Sequence, residues 1–434
     1  MLQLLELKDV GPAPKMRLEF GKRLNLLTGD NGLGKSFILD IAWWALTRNW
    51  AHSPAKPNAK SQVSPSLAFS FDSTTRKHTY TSEFIRLDQR WTNKQGRPAN
   101  PGLVIYARVD GGFSVWDPAR NYWKTLQGKE TPDRPPAYHF DSQQVWDGLR
   151  LPDGKVACNG VLIDWVKWQL SGSPEFSLLQ TVLLALSPSK DETLKVGKPA
   201  KFDFDDAREV PTITMPYGQD VPINLISMGM KRVIALAYLL VWAVNEHNAA
   251  ADFLGLSRTR QFIFLIDEIE SHLHPKWQRV ILRSLLDVVS KLAQTGSAEV
   301  QLVTSTHSPL VLASVEPYFD DKLDAWFDID LVPDKTARSA NVELTKRPFI
   351  KRGDASNWLT SEAFDMEGAG SKDVELALNR ASGIMSNKSA SVSELDGVEK
   401  ELHLLLPDTD QFWRRWKIMR DRRGAVDDSR KAKT

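Results

Sequence analysis

The chain has 434 residues, of which 42% are hydrophobic and 25% charged, so a folded protein of two or three subdomains is expected. Its 56 basic and 54 acidic residues give a net charge of +2, and this near balance provides no argument for a polyanionic partner. A single cysteine, Cys158, excludes an internal disulfide and fits a reducing compartment. With no leader and no apolar run of transmembrane length, we expect a cytoplasmic protein without a membrane partner.

The first motif joins a short apolar run, RLNLLTG, to the segment KSFILDIAWWALTRNW, and the pair predicts a buried strand and a packed helix. Between them the sequence reads Gly29-x-x-x-x-Gly34-Lys35-Ser36, the P-loop pattern in its strand–loop–helix context. Glycines permit positive φ angles, so that backbone N–H groups and the helix start can face phosphate oxygens. Lys35 would reach the β- and γ-phosphates, and the Ser36 hydroxyl would bind Mg²⁺. The predicted ATP contacts are Gly29, Asp30, Asn31, Gly32, Leu33, Gly34, Lys35, Ser36 and Phe37.

Two later segments supply the other polar groups that phosphoryl transfer requires. The apolar run Phe262–Ile266 predicts a buried strand that ends in Asp267 and Glu268, which is the Walker B pattern. We expect Asp267 to bind Mg²⁺ and Glu268 to act as the general base. A further apolar strand, in VQLVTSTHSPLVLAS, ends close to His307, and a histidine there is predicted to contact the γ-phosphate.

An anion site outside the P-loop is indicated by the segment NLISMGMKRVIALAYLLVWAV, which predicts a strongly apolar helix. Its beginning contains Ser227, Gly229 and Lys231, and a small hydroxyl with a glycine at a helix N-terminus can bind an anion. The same residues also fit an ordinary capped helix of the core, so both interpretations stay open.

Taken in order, Gly29–Ser36, Ser227–Lys231, Asp267–Glu268 and His307 resemble the motifs of the ABC/SMC-like ATPase superfamily. The phrase IDEIESHLHPKWQ resembles the RecF-like and OLD-like AAA ATPases of bacterial defence loci. The stretches SQQVWDGL and CNGVLIDWVKWQ are similar to the ATPase subunit of Septu-type anti-phage systems. The resemblance covers residues 1–335, and Ser-Met-Gly-Met-Lys departs from the transporter signature Ser-Gly-Gly-Gln.

The resemblance implies ATP and Mg²⁺ as cofactors, and a homodimer or higher homo-oligomer built from heads joined by ATP. In that assembly Ser227, Gly229 and Lys231 would complete the nucleotide site of the partner, and Ser271 would lie on the D-loop facing it. A separately encoded effector nuclease of the HNH type is also implied, with DNA as a further candidate partner. Such ATPases have a nucleotide-sensing glutamine; Gln143 and Gln144 are the candidates, with Gln144 also a candidate magnesium contact.

The motifs predict an α/β fold, an ABC-type P-loop head without a long coiled coil, since the segment between the P-loop and the signature shows no sustained heptads. Within it, DGG predicts a β-hairpin and NGVLIDWVKWQLSGSPEFSLLQTVLLALSP predicts two helices. The predicted regions are residues 1–85 (first ATPase lobe), 86–210 (inserted β and helical subdomain), 211–335 (second ATPase lobe) and 336–434 (C-terminal partner-docking extension with a basic tail).

The last hundred residues decide whether a nuclease domain is expected in this chain. The acidic segments at 203–206 and 327–330 contain the letters of a Toprim nuclease, but neither leads into enough chain for that domain, so no nuclease activity is expected. The run Phe412–Arg423 mixes aromatic anchors with six basic residues. It fits contact with a nucleic-acid backbone, docking of a protein partner, or a solvated amphipathic helix end.

We therefore predict a dimer-forming ATPase that regulates a separate effector in anti-phage defence, with Glu268 and His307 as its catalytic residues. One alternative is a RecF-like repair clamp, in which the ATP-bound dimer holds duplex DNA. A second alternative is a nearly non-hydrolysing scaffold that retains ATP and keeps a toxin inactive. Brisk hydrolysis abolished by Glu268→Gln would contradict the scaffold, and ATP-dependent DNA binding by the chain alone would favour the clamp.

Overall fold

The computed structural model of the chain describes residues 1–58, 64–72, 77–92, 99–121, 125–126, 129–130, 135–292, 298–333, 340–387 and 389–431. The chain divides into two compact units, Met1–Ala355 and Ser356–Thr434. The larger unit contains the sheets and all the predicted nucleotide-binding motifs, and the smaller unit is helical.

The strands are β1 (Leu2–Lys8), β2 (Lys15–Glu19), β3 (Leu24–Gly29), β4 (Ser66–Asp72), β5 (Lys77–Ile85), β6 (Arg90–Trp91), β7 (Leu103–Ala107), β8 (Phe113–Trp116), β9 (Thr125–Leu126), β10 (Lys129–Glu130), β11 (Tyr138–Phe140), β12 (Leu149–Arg150), β13 (Val156–Cys158), β14 (Lys195–Val196), β15 (Thr212–Thr214), β16 (Asp220–Pro222), β17 (Gln261–Ile266), β18 (Glu299–Ser305), β19 (Ala325–Pro333) and β20 (Ala340–Arg347). The helices are α1 (Lys35–Thr47), α2 (Ser142–Asp147), α3 (Val161–Ser171), α4 (Pro174–Ala185), α5 (Met228–Phe253), α6 (Pro275–Gln278), α7 (Ile281–Leu292), α8 (Pro309–Val315), α9 (Ala355–Leu359), α10 (Lys372–Ser386), α11 (Val392–Leu405) and α12 (Phe412–Lys431).

A mixed eight-stranded sheet, in the order β11-β8-β7-β17-β18-β3-β19-β20, forms the centre of the larger unit. Its five middle strands run parallel, and the strands beyond them at both sides pair antiparallel. Every residue of β3 and β7 is buried, as expected for parallel strands covered on both faces. Because parallel strands end at the same edge of a sheet, the P-loop after β3, the Walker B carboxylates after β17 and the polar end of β18 are neighbours.

A second, antiparallel sheet in the order β2-β1-β4-β5-β6 packs beside the first helix through a cluster of aromatic side chains. Trp43 and Trp44 of α1 are buried, and the ring of Trp44 stacks on Trp50 with 5.1 Å between centroids. The indole N–H of Trp91 donates to the carbonyl of Ala55 at 2.8 Å. Large aromatic rings therefore pack against the P-loop helix on this side, and the indole N–H of Trp91 among them has a hydrogen-bond partner.

The α/β P-loop fold is confirmed, as are the hairpin at DGG between β7 and β8 and the two helices α3 and α4. The borders of the predicted regions lie elsewhere in the structure. Strands β7, β8 and β11 fall in the predicted insert, 86–210, yet they belong to the central sheet. The predicted border at residue 335 lies between β19 and β20, which pair along their whole length, and the second unit begins at Ser356.

Helix α5, which begins at the signature segment, is long and apolar enough by composition to cross a membrane. However, 72% of its most apolar window is buried inside the protein. Burial among the other elements of the unit accounts for its apolar sequence, so α5 has the character of a core helix.

The second unit packs α10, α11 and α12 around a small apolar core. Phe412 and Trp416 of α12 are buried in that core, so these two rings are not free to anchor a partner. Among the α12 side chains that the structure describes, the exposed ones include the cations Arg414, Arg415, Lys417 and Arg422, together with Ile418 and Asp421. The helix therefore separates the aromatic and basic residues that the sequence interleaves, and docking through Phe412 or Trp416 is excluded.

Candidate nucleotide site

The P-loop connects β3 to α1 and depends on glycine at two points of close approach. Gly29 has φ +128°, and a Cβ there would lie 2.2 Å from the carbonyl oxygen of Ile329 on the adjacent strand β19. Gly34 has φ +100°, and a Cβ would lie 2.9 Å from the ring of Pro12. Side chains are strongly disfavoured at both positions, because the backbone is left-handed and the space is already occupied. The loop is thus fixed by the neighbouring strand and by the β1–β2 turn.

The nine predicted ATP contacts share one segment but present different groups. The side chain of Leu33 is buried in the core, and that of Phe37 packs against it. The residues exposed at the surface of the loop are Asp30, Asn31, Gly32 and Ser36. A ligand on the loop would therefore meet backbone N–H groups and the Ser36 hydroxyl, with Leu33 and Phe37 acting through the packing of the loop.

Lys35 is buried, and its ammonium group donates to the carbonyl oxygens of Gly29 at 2.7 Å and Asp30 at 2.8 Å. Burial lowers the pKa of Lys35, and the nearby carboxylates of Glu268 and Asp267 oppose that shift. The lysine is thus held within its own loop and within the field of the Walker B acids.

Asp267 follows β17 and is almost completely buried. Its Oδ1 accepts a hydrogen bond from the hydroxyl of Ser305 at 2.7 Å, and the same hydroxyl accepts from the backbone N–H of Glu268 at 2.7 Å. The backbone N–H of Asp267 donates to the carbonyl of Ala107 at the end of β7. One hydroxyl on β18 therefore fixes both the Asp267 carboxylate and the start of the following turn.

Glu268 has φ +46°, a left-handed conformation that costs a non-glycine residue about 1 kcal/mol or more. Its backbone N–H is held by Ser305, and its carbonyl accepts from the N–H of Ser271 at 2.9 Å and from the Arg232 guanidinium at 3.0 Å. Contacts from β18, from α5 and from its own turn thus hold the backbone of Glu268 in this conformation.

Glu270 joins the predicted D-loop to the segment that carries His307. Its carboxylate accepts from the hydroxyl of Thr306 at 2.7 Å and from the backbone N–H of His307. Burial raises the pKa of Glu270. Burial and the Lys35 cation lower the pKa of His307, so its neutral imidazole is favoured near pH 7. Lys35 and the Walker B acids both act on His307, which places the predicted P-loop, Walker B and switch residues in one cluster.

The predicted signature residues lie at the start of α5. The hydroxyl of Ser227 caps the helix by accepting from the backbone N–H of Met230 at 3.4 Å. A Cβ on Gly229 would lie 2.4 Å from the carbonyl oxygen of His272, so this helix turn is pressed against the D-loop. Among the described residues, no hydrogen bond or ion pair joins Ser227, Gly229 or Lys231 to the P-loop.

Gln144, a predicted nucleotide-sensing residue, has a local partner. Its side-chain oxygen accepts from the backbone N–H of Asp141 at 3.0 Å, which completes a capping box at the start of α2. The Gln143 amide donates to Asp147 at 3.4 Å. Because these bonds lie within α2, the structure gives both glutamines a helix-end role, and their contact with nucleotide or magnesium stays a prediction.

Three functional candidates were absent from the sequence prediction, namely Ser305, Glu270 and Arg232. Ser305 and Thr306 stand in the polar run that follows the apolar part of β18, and this run is a signal that sequence reasoning could have used. Glu270 is a third acid after β17, and nothing local distinguishes it from a surface residue. Arg232 lies one turn into an apolar helix, and its partners come from distant strands, so the sequence offers no signal for its role.

Residues 24–313, about two thirds of the chain, match the family described as "AAA domain, putative AbiEii toxin, Type IV TA system". The chain belongs to this AAA family. It is a P-loop ATPase, and its P-loop, Walker B strand and His307 all lie inside the matched region. Membership implies use of a nucleotide, typically with Mg²⁺.

Two relatives of this AAA ATPase cover different shares of the chain. The Septu protein PtuA of Bacillus thuringiensis is 23% identical over 316 residues, which are 71% of this chain and 72% of that protein. The Retron Vc95 probable ATPase of Vibrio cholerae serotype O1 biovar El Tor is 35% identical over 127 residues, 29% of this chain and 20% of that protein.

Two solved structures are similar at low sequence identity. The SMC head domain from Thermotoga maritima has a TM-score of 0.37 at 15% identity, covering 79% of this chain and 98% of the other. The SmcHead bound to the C-winged helix domain of ScpA has a TM-score of 0.37 at 16% identity, covering 80% and 98%.

Proposed function

We propose that the protein is a magnesium-dependent ATPase of bacterial anti-phage defence whose copies join head to head around ATP and so control a separately encoded effector. The observation that carries the proposal is the exposed start of α5. Ser227 is exposed there, and the flanking apolar side chains of Leu225 and Met228 are 70% and 60% exposed. A helix N-terminus, which can bind an anion, with an apolar border fits a surface that is buried on association with a second, nucleotide-loaded copy.

Each group of the P-loop cluster has a task in this reaction. Lys35, now bonded to the loop carbonyls, would donate to the β- and γ-phosphate oxygens. Ser36 and Asp267 offer a hydroxyl and a carboxylate, the hard oxygen ligands that Mg²⁺ prefers, and Ser305 fixes the orientation of the carboxylate. Bound Mg²⁺ would neutralise negative charge on the phosphates. Glu268 would accept the proton of the attacking water.

His307 would report the presence of the γ-phosphate. Its imidazole is favoured in the neutral form, which has one N–H donor for a phosphate oxygen. Its backbone N–H is bonded to Glu270, so a change at the imidazole would be transmitted to the segment between Walker B and α6. That segment includes Ser271, the predicted D-loop contact with the second copy.

The defence role and the effector rest on similarity to relatives. Similarity to the Septu protein PtuA over 71% of the chain supports the defence assignment, and the retron ATPase is in keeping with it. A separately encoded effector, of the HNH nuclease type in the Septu resemblance, would be the partner. The cytoplasm would be the compartment, and the ATP-joined pair would be the unit that engages or releases the effector.

The dimer is tested by light scattering of purified Glu268→Gln protein with MgATP. We expect the measured mass to double with ATP and to return to the protomer value when nucleotide is removed. Lys35→Ala, which removes the phosphate contact, is the control and should stay at the protomer mass. A Glu268→Gln protein whose mass ATP leaves unchanged at every concentration would contradict the ATP-joined dimer.

The effector is tested separately, with tagged Glu268→Gln protein purified from its native host with MgATP. A nuclease identified by mass spectrometry at a fixed ratio to the ATPase supports the proposal. Nucleic acid without any protein companion would favour the DNA clamp, the second candidate function. The exposed cations Arg414, Arg415, Lys417 and Arg422 of α12 favour that candidate, since they outnumber the exposed acid Asp421 among them and could contact a phosphate backbone.

A further inference from the structure

Arg232 links the start of α5 to the catalytic carboxylates. Its Nη2 donates to the carbonyl oxygen of Asp267 at 2.7 Å and to that of Glu268 at 3.0 Å. Its Nη1 donates to the carbonyls of Val109 at 3.4 Å and Arg108 at 3.5 Å, just beyond the end of β7. A single guanidinium thus binds four backbone carbonyls from two neighbouring strand ends, which is a use of its forked donors that lysine cannot reproduce.

The same helix turn carries the signature. Arg232 lies five positions after Ser227, so both belong to the first turns of one rigid helix. The close approach of Gly229 to the carbonyl of His272 fixes this turn against the D-loop as well. A displacement of the helix start would therefore act on the D-loop and, through Arg232, on the backbone of Asp267 and Glu268.

The surroundings of this helix start allow such a displacement. A cavity of about 280 Å³ lies beside it, with Trp146, Met228, Arg232 and Leu273 among the lining residues. Protein interiors are otherwise close-packed, so a space of this size permits a small shift without loss of core contacts. Glu268 is also held in a left-handed conformation by these contacts, and a residue held in this way can relax when one of them changes.

We propose that Arg232 is a positioning residue that couples engagement of Ser227 and Gly229 by the second copy's nucleotide to the orientation of Glu268 in its own copy. This inference rests on the ATP-joined dimer proposed above. Contact of the partner's phosphate with the start of α5 moves Arg232, and the carbonyls that it holds move with it. Each copy then reaches its hydrolytic geometry only when its own signature is engaged, so that the two sites act together.

A purely structural role for Arg232 makes a different prediction. An arginine that only ties strand ends together would, when replaced, lower stability and reduce nucleotide binding and turnover in proportion. A coupling arginine would leave nucleotide binding by the dilute protomer nearly intact and remove the dependence of turnover on dimer formation. A comparison of the loss of ATP affinity with the loss of turnover therefore distinguishes the two roles.

The test compares Arg232→Ala and Arg232→Lys with wild type and with Arg23→Ala. Arg23 is a matched control, because it also binds a carbonyl, that of Tyr318, and the carboxylate of Asp324, but at the opposite end of β3. Four quantities are measured for each protein: ATP affinity at a concentration where it is monomeric, turnover against protein concentration, the Hill coefficient for ATP, and the melting temperature.

For Arg232→Ala we expect ATP affinity within about twofold of wild type, a loss of turnover on the order of tenfold, and a Hill coefficient near 1. Arg232→Lys should recover part of the turnover, because an ammonium can reach one or two of the carbonyls. Arg23→Ala should lower the melting temperature and keep the wild-type Hill coefficient. Since Arg232→Lys preserves the charge, it provides the comparison if Arg232→Ala does not fold.

Wild-type cooperativity in both Arg232 variants would overturn the coupling and leave the dimer intact. Equal losses of affinity and turnover, with a melting temperature lowered as in Arg23→Ala, would do the same and assign Arg232 a structural role. Wild-type turnover per protomer that is independent of protein concentration would overturn the dimer itself, and the coupling with it.

Discussion

Replacing Ser305 by alanine tests whether one hydroxyl on β18 prepares the magnesium site. The Ser305 hydroxyl donates to Asp267 Oδ1 at 2.7 Å and accepts from the N–H of Glu268 at 2.7 Å, and Ser305 and Asp267 are both buried. Alanine removes one charge-assisted hydrogen bond, worth about 2 kcal/mol, and one neutral bond, worth about 1 kcal/mol. We therefore expect the free energy of unfolding to fall by about 3 kcal/mol.

The functional effect should exceed the effect of lost stability. A carboxylate that loses its hydrogen-bonding partner binds metal more weakly, by about tenfold or more. The magnesium concentration that gives half-maximal ATP hydrolysis should therefore rise about tenfold in Ser305→Ala. The measurement is ATP hydrolysis against magnesium concentration at fixed ATP, at a temperature where urea titration shows the variant to be folded.

The adjacent residue provides the control. Thr304 is equally buried, and its hydroxyl donates to the carbonyl of Ile266 at 2.9 Å without touching either Walker B carboxylate. Thr304→Val should lose about 1 kcal/mol of stability and keep the wild-type magnesium dependence. Equal magnesium requirements in the two variants would refute the role given to Ser305.

Three further predictions concern other parts of the chain. Gly229→Ala places a Cβ 2.4 Å from the His272 carbonyl, so in the Glu268→Gln background it should abolish the ATP-dependent doubling of mass in light scattering, whereas Gly383→Ala, which meets nothing within 4 Å, should not. Burial raises the pKa of Asp328 to about 6, so the folded state favours the protonated carboxyl; this contribution to stability is complete below pH 4 and is lost as the pH rises through 6. The free energy of unfolding of Asp328→Asn, measured by urea titration relative to wild type, should therefore rise by about 2–3 kcal/mol between pH 4 and pH 7. A difference between the two proteins that is constant with pH would contradict this. Reversing three exposed α12 cations (R414E, K417E and R422E) should lower the salt slope of any ATP-dependent DNA binding by about 3, and an unchanged slope would exclude α12 as the DNA contact.

The parts of the site that the sequence predicts are those built from neighbours along the chain. The P-loop is one segment of nine residues, and the spacing of its glycines, lysine and serine along the chain is enough to predict the loop. Asp267 and Glu268 directly follow the strand that positions them. Glu270 differs, because its role is defined by Thr306 and His307, 36 and 37 positions away, which only the pairing of β17 with β18 brings near. Arg232 likewise depends on contacts across the sheet.

The predicted regions differ from the arrangement of strands in the structure for a related reason. Strand β7 has the short apolar sequence LVIYA, which fits a local hairpin as well as a central strand, and only its pairing with β17 distinguishes the two. Strand β20 alternates polar residues at the edge of the sheet, so its sequence gives no sign of the partner β19. For Gln144 the local sequence does carry a signal. Asp141, three positions earlier, forms a capping-box pattern with Gln144, and this pattern predicts a role at the start of α2 beside the predicted nucleotide contact.

The position of β3 between β18 and β19 also constrains how the protein is made. During synthesis the P-loop strand emerges early, yet Leu24 pairs with Leu302, and Asn25 pairs with Ala325 on its other side. The ribosome must therefore release the 278 residues that follow Leu24, up to Leu302, before this apolar strand acquires its first neighbour. Until then the nascent chain holds a complete P-loop sequence that cannot bind ATP in its final form. The P-loop strand thus takes its place in the sheet only after the segment that carries Glu268 is already present.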